Sequence, residues 1–138
     1  MKLTAEQLHV FEEEGYLFLP NIFSAEEMAL LNGEVAGLFA QERPEVIREK
    51  GTNAPRSAFY VQTWNPVFEL LARHPRLVEP GMQILGSNCL YMHQFKINAK
   101  AAFDGAVWQW HQDYATWHAD DDMPTAQAMN IALFLAEA

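Results

Sequence analysis

At Gly86 the hydrophobic period of this 138-residue chain changes, and that change limits the folds open to it. Before Gly86, apolar residues recur every three or four positions behind helix-start signals. "TAEQLHVFEEEG" holds a capping box, with Thr4 as N-cap and Gln7 three residues on; Leu8 and Phe11 share a face and Gly15 marks the stop. "SAEEMALLNGEVAGLFAQE" repeats the device with Ser24 and Glu27, and Met28, Leu31, Val35, Leu38 and Phe39 form its apolar stripe. Residues 65–73 and 75–85 read as two shorter helices split at His74-Pro75. "YLFLP" (Tyr16 to Pro20) reads as a short strand, and 43–57, with Pro44, Gly51 and Pro55, as a polar loop.

After Gly86 the period is two. Residues 88–100, 106–114 and 128–135 are strand-like. The pattern predicts a single α+β domain over 1–138, helical over 1–86 and β-rich over 87–138. The sequence stops just after the apolar run "AMNIALFL" with no partner strand following, which leaves an unpaired edge. The expectation is a sheet incomplete at its C-terminus, with 128–135 available to pair with a second copy as a homodimer.

A length of 138 residues suits one domain with a real core. The net charge of −9 with scattered Lys and Arg argues against nucleic acid and anionic membranes as partners. No apolar run approaches the roughly 18–20 residues of a membrane span, and the N-terminus lacks the apolar core of a signal peptide. A single cysteine, Cys89, leaves no internal disulfide, so a cytoplasmic location is expected.

Candidate chemistry falls on two of the strand-like segments, where residues two apart share a face. In "HQFKINAK", Gln94, Lys96, Asn98 and Lys100 lie together. This fits an ordinary strand with its polar face in water, and it also fits a pocket for a carboxylate ligand. In "WQWHQDY", His111 and Asp113 point the same way. An imidazole and a carboxylate so placed can reach adjacent corners of one divalent metal, and a 2-His-1-carboxylate set leaves positions open for substrates. Alone, H-x-D is a common pair.

The string around it is far more specific. "VWQWHQDYATWHADDDMP", preceded by "YMHQFKINAK" and followed by "AMNIALFL", resembles the phytanoyl-CoA dioxygenase family of iron(II)- and 2-oxoglutarate-dependent oxygenases. It is most similar to the branch of ectoine and free L-proline hydroxylases. The resemblance runs along the whole chain and is sharpest over 91–135. It implies that His111 and Asp113 are the first two iron ligands, that Lys100 contacts 2-oxoglutarate with Asn98 beside it, and that Gln94 and Trp117 touch the substrate. It implies a double-stranded β-helix (a jelly-roll, cupin-like), of which this chain supplies the first part with helices packed on it. The family's third ligand, a distal histidine, and the arginine that clamps 2-oxoglutarate fall beyond residue 138. The family pattern also has glycine where this chain has Asp122.

The implied activity is hydroxylation of a small amino-acid-like substrate of the proline or ectoine type, with O2 and 2-oxoglutarate consumed. The isolated chain is expected to turn over weakly or not at all. The alternative is a non-catalytic binding or assembly module that keeps half a metal site. Other residues read as structural: His118 in a loop after Asp113, His93 packed on the face opposite Gln94, His9 on the first helix, His74 before a proline, and "DDD" at 120–122 as a solvated turn. Trp108 and Trp110 are expected in the core behind His111, and Cys89 has no activating neighbour.

Overall fold

The computed structural model describes residues 1–99 and 109–136. Helices α1 (Ala5–Glu14) and α2 (Ala25–Phe39) lead into strands β1 (Val46–Arg48) and β2 (Pro55–Phe59) and a 3-10 turn (Val61–Thr63). Then come α3 (Pro66–Ala72), α4 (Pro75–Leu85), β3 (Lys96–Asn98) and α5 (Asp113–Asp120). The strands form one antiparallel sheet in the order β1-β2-β3. Helices with a small antiparallel sheet are the α+β composition expected from the sequence.

Both capping boxes form. The Thr4 and Ser24 side chains accept from the backbone N–H groups of Gln7 and Glu27, whose own side chains return the bond. Gly15 closes α1 in the left-handed conformation at φ +74°. Glu27 also reaches across to α4, where its carboxylate pairs with Arg76, whose guanidinium lies over the Phe23 ring. Asn65 caps α3, accepting from Val67 and Phe68 at 3.0 and 3.1 Å, while its amide donates to Glu34 on α2 at 2.7 Å. These bonds set Phe68 under α2. Among the described residues, Phe68, Leu38 and Val61 are the largest fully buried side chains, with Leu31, Phe39, Val46, Ala58 and Leu71 around them.

The Gln83 amide clamps Leu3 through both backbone groups, tying the N-terminus to α4. Gly81 sits inside α4 because other chain crosses there: a Cβ at this position would lie 3.0 Å from Leu90 Cδ1 and 3.7 Å from Met129 Sδ. Segment 128–136 returns over the helices. Leu133 and Leu135 pack on the core, and Asn32 Nδ2 donates to the Leu135 carbonyl at 2.6 Å.

Several strand expectations are corrected. Tyr16–Pro20 joins no strand ladder among the described residues and leaves Phe18 72% exposed. The polar stretch 43–57 is not a loop: it carries β1 and most of β2, held by backbone pairing and by an Arg56–Glu49 ion pair of 2.9 Å instead of an apolar stripe. Of 88–100 only Lys96–Asn98 joins the sheet among the described residues, and 128–135 joins no ladder. Residues 113–120 form a helix where a strand and then a loop were expected. The β-rich reading of 87–138 therefore rests, among described residues, on β3 alone.

Replacing Phe68 by Ala should lower unfolding free energy by about 3–5 kcal/mol in urea titration, as for other fully buried aromatics. The Arg76 guanidinium, then the Ser24 N–H, hold the Glu27 carboxyl below its ordinary range. A carboxyl lowered on folding adds stability above its unfolded pKa, and that stability disappears as pH falls through the lowered folded value. The urea midpoint should therefore drop on acidification below about pH 4.3. Glu27→Gln should flatten that drop in part, since Glu26, Glu45 and Glu79 are lowered as well.

Candidate metal centre

His111 and Asp113 meet across the start of α5. Asp113 is the first residue of the helix, where its negative charge faces unpaired N–H groups, and Gln112 is the N-cap. Gln112 makes no capping side-chain bond, and the helix buries only Trp117, so neither a cap nor an apolar stripe announces it in the sequence. The two residues thus come together over a loop-to-helix junction and not, as expected, as neighbours on a strand face.

His111 Nε2 lies 3.2 Å from Asp113 Oδ1. His111 Nδ1 lies 2.7 Å from the Gln109 carbonyl, which has no proton to give, so Nδ1–H is the donor. In the neutral ring this leaves Nε2 bare, and a bare nitrogen then faces a carboxylate oxygen. A proton on Nε2 makes this contact an ion pair, and a bare Nε2 together with the carboxylate oxygen offers lone pairs to one cation. A metal with bonds of about 2.1 Å at right angles would separate its donors by about 3.0 Å, close to what is observed. A ring N–H fastened to a backbone carbonyl is also the usual outer support of a metal-bound histidine. Imidazole nitrogen with carboxylate oxygen suits iron(II). The pair therefore fits two adjacent corners of such an ion. Side-chain exposures of 54% and 27% leave the pair open to further ligands. Among the described residues no group of three or more His, Cys, Asp and Glu side chains is arranged to hold a metal.

Asn130, which sequence reasoning passed over, completes the arrangement. Its Nδ2 donates to Asp113 Oδ2 at 2.8 Å. The signal was available: it is the one amide in the apolar run "AMNIALFL". The chain returns to Asp113 by reversing after α5. The Trp117 carbonyl accepts from both Asp121 and Met123 N–H at 3.1 Å, and Asp122 between them is left-handed at φ +55°. This chain thus takes, with aspartate, the backbone conformation that glycine adopts readily. His118 is on α5, not in a loop, and its Nδ1–H donates to the Met123 carbonyl at 2.8 Å, which fastens the turn.

Trp117 stands one helical turn beyond Asp113 and is buried. The His93 ring packs edge-on against it at 4.9 Å, and His93 Nε2 is 3.1 Å from Asp121 Oδ2. His93 thus packs as expected and also fixes the end of α5. Gln94, beside it in the chain, is exposed. Asn98 is on β3, where its Oδ1 accepts from the buried Ser57 hydroxyl at 2.9 Å. Lys100 and Trp108 lie outside the described residues. Trp110, expected in the core, is fully exposed at 102%, because the irregular segment before α5 does not keep the strand alternation. Cys89 is an exposed free thiol. Among the described residues no helix is long and apolar enough to cross a membrane.

Comparison with known proteins adds a frame to this geometry. The family model for phytanoyl-CoA dioxygenase (PhyH) matches residues 11–138. The ectoine dioxygenase of Bordetella bronchiseptica is 40% identical over 139 residues, covering 98% of this chain and 45% of that protein. The L-proline trans-4-hydroxylase of Streptomyces griseoviridis is 39% identical over 125 residues, covering 91% and 46%. Among solved structures, EctD from S. alaskensis with 2-oxoglutarate and 5-hydroxyectoine superposes with a TM-score of 0.84 at 34% identity, over 91% of this chain and 45% of that one. The same enzyme with bound Fe superposes at 0.78, over 84% and 42%. The chain thus spans about half the length of the relatives it matches.

Replacing Asp122 by Gly should raise unfolding free energy by up to about 1 kcal/mol, since glycine carries no left-handed penalty. Asp122→Val should lower it by about 1–2 kcal/mol. Urea titration of the two variants checks the sign.

Proposed function

The chain belongs to the phytanoyl-CoA dioxygenase family, and on that premise we propose that it carries the first two iron ligands, His111 and Asp113, of a 2-oxoglutarate-dependent hydroxylase. The observation that supports this most is the 3.2 Å approach of His111 Nε2 to Asp113 Oδ1, with the opposite ring nitrogen engaged by the Gln109 carbonyl. The proposed substrate is a small amino-acid-like molecule of the proline or ectoine type, the chemistry named for the relatives. Helices packed on part of a double-stranded β-helix are the proposed architecture, and a cytoplasmic location is in keeping with the free thiol of Cys89.

Iron(II) with 2-oxoglutarate would supply the oxidising power, using O2 to convert 2-oxoglutarate to succinate and carbon dioxide while one oxygen atom enters a substrate C–H bond. The protein's share is positional. His111 would present Nε2 because Gln109 holds Nδ1, and Asp113 would present Oδ1. Lys100 would meet a carboxylate of 2-oxoglutarate as a compact positive charge, with Asn98 beside it. Trp117 would form an apolar wall and Gln94 a polar contact for the substrate, the mixture that orients a small molecule while keeping water out.

Segment 128–135 favours a second reading, an assembly module. It makes no ladder among the described residues, and it exposes Ile131 (51%) and Phe134 (66%). Such an edge can pair with a second copy. A concentration-dependent dimer lost in Ile131→Lys, without metal binding, would favour that reading.

The iron reading is tested by anaerobic titration of the chain with iron(II) and 2-oxoglutarate. A saturable visible charge-transfer band is expected, lost in His111→Ala and in Asp113→Ala. With the band in hand, L-proline and ectoine are offered with O2, and succinate and a 16-dalton gain in substrate mass are sought. A band that survives both substitutions would refute the assignment of the two ligands.

A further inference from the structure

We propose that Asn130 is a positioning residue for the metal-binding carboxylate: it holds Asp113 to one oxygen toward the metal and keeps the second oxygen away from it. The inference rests on the iron-site reading above and adds a residue to it. The observations are the 2.8 Å bond from Asn130 Nδ2 to Asp113 Oδ2 and the 3.2 Å approach of Asp113 Oδ1 to His111 Nε2. The two oxygens of one carboxylate are thus divided between an amide donor and the imidazole. Only the Nδ2 end of the asparagine can face a carboxylate, because Oδ1 in that place would set acceptor against acceptor.

The division has a chemical consequence. A free carboxylate can bind a metal through one oxygen or through both. Binding through both takes a second coordination position, and an oxygenase of this class needs its open positions for small molecules. A hydrogen bond to Oδ2 fixes the plane of the carboxylate and lowers the basicity of that oxygen, so Oδ1 becomes the better ligand. Asp113, as the first helical residue, has its backbone fixed by α5, and its side chain meets His111 on one oxygen and Asn130 on the other. Asn130 is the group that sets the remaining torsion.

Three features put Asn130 there. Asp122 turns the chain left-handed, the Trp117 carbonyl gathers the N–H groups of Asp121 and Met123, and His118 fastens Met123. Beyond the turn, Gln127 Nε2 donates to the Leu85 carbonyl, and Leu133 and Leu135 pack on the core. The asparagine is therefore carried on a segment anchored on both sides. Anchored donors are what outer support of a metal ligand requires, since a mobile one would follow the carboxylate instead of directing it.

The test uses the whole chain with cobalt(II) as a spectroscopic probe under nitrogen. His111→Ala first shows whether the cobalt signal belongs to this site. Asn130→Leu, similar in size but without a donor, is expected to weaken cobalt binding about 10–100-fold and to change the visible d–d bands. Asn130→Gln, which keeps the amide, should restore much of both. A signal absent in the native chain, or indifferent to His111→Ala, overturns the iron-site reading and this proposal with it. A signal that depends on His111 but is unchanged in Asn130→Leu overturns the proposal alone. Should Asn130→Leu fail to fold, the metal-free native chain still decides. Its Asn130 side-chain amide is expected downfield and slow to exchange in 15N-resolved NMR. A shift and exchange rate like those of exposed amides would overturn the proposal.

Discussion

Burial of one face of α2 against β2 and α3 is the condition on which the rest of the molecule depends. Phe68, Leu38 and Val61 meet there with almost no exposure, and Asn65 sets the approach by capping α3 with one end of its amide and gripping Glu34 of α2 with the other. An apolar core of this kind is non-directional; the capping bonds give it a register. The Phe95 ring packs edge-on against Phe68 at 6.2 Å, and β3 follows at once. The core thus reaches by direct contact the stretch that holds Gln94 and Asn98. It also receives Leu133 and Leu135, which anchor the far side of the segment that carries Asn130.

The candidate centre is built where that returning segment meets the start of α5. Its parts are weak taken singly: an H-x-D pair, a two-turn helix without a side-chain cap, and an asparagine in an irregular stretch. Together they constrain one another. The Gln109 carbonyl accepts from His111 Nδ1–H, and Asn130 Nδ2 donates to Asp113 Oδ2. Between the two, the chain reverses at the left-handed Asp122.

Some of this could be read residue by residue. Both capping boxes, the α2 stripe and the stop at Gly15 are local: they report bonds between groups a few positions apart, and the chain carries both partners together. The long string around His111 and Asp113 pointed to a family because its spacing is hard to reach by chance. The polar strands β1 and β2 left no such trace. They bury only Val46 and Ala58 of their apolar residues and are otherwise held by backbone pairing and the Arg56–Glu49 ion pair, neither of which imposes a hydrophobic period. Helix α5 was misleading for the converse reason. Its Trp, Tyr and Thr favour strands, while the burial of Trp117 against His93 and the acid at its first residue favour the helix.

What the sequence by itself determined about this protein is therefore the starts of the first four helices, the net charge of −9, and the identity of the two candidate ligands. Only the tertiary structure decided that these ligands meet over a helix start, that Trp110 faces solvent, and that an asparagine 17 residues away holds Asp113. The reason is range. Periodicity and capping encode interactions within about a turn of chain. The Asp113–Asn130 bond exists only after the chain has reversed at Asp122 and laid its apolar residues on a core made elsewhere.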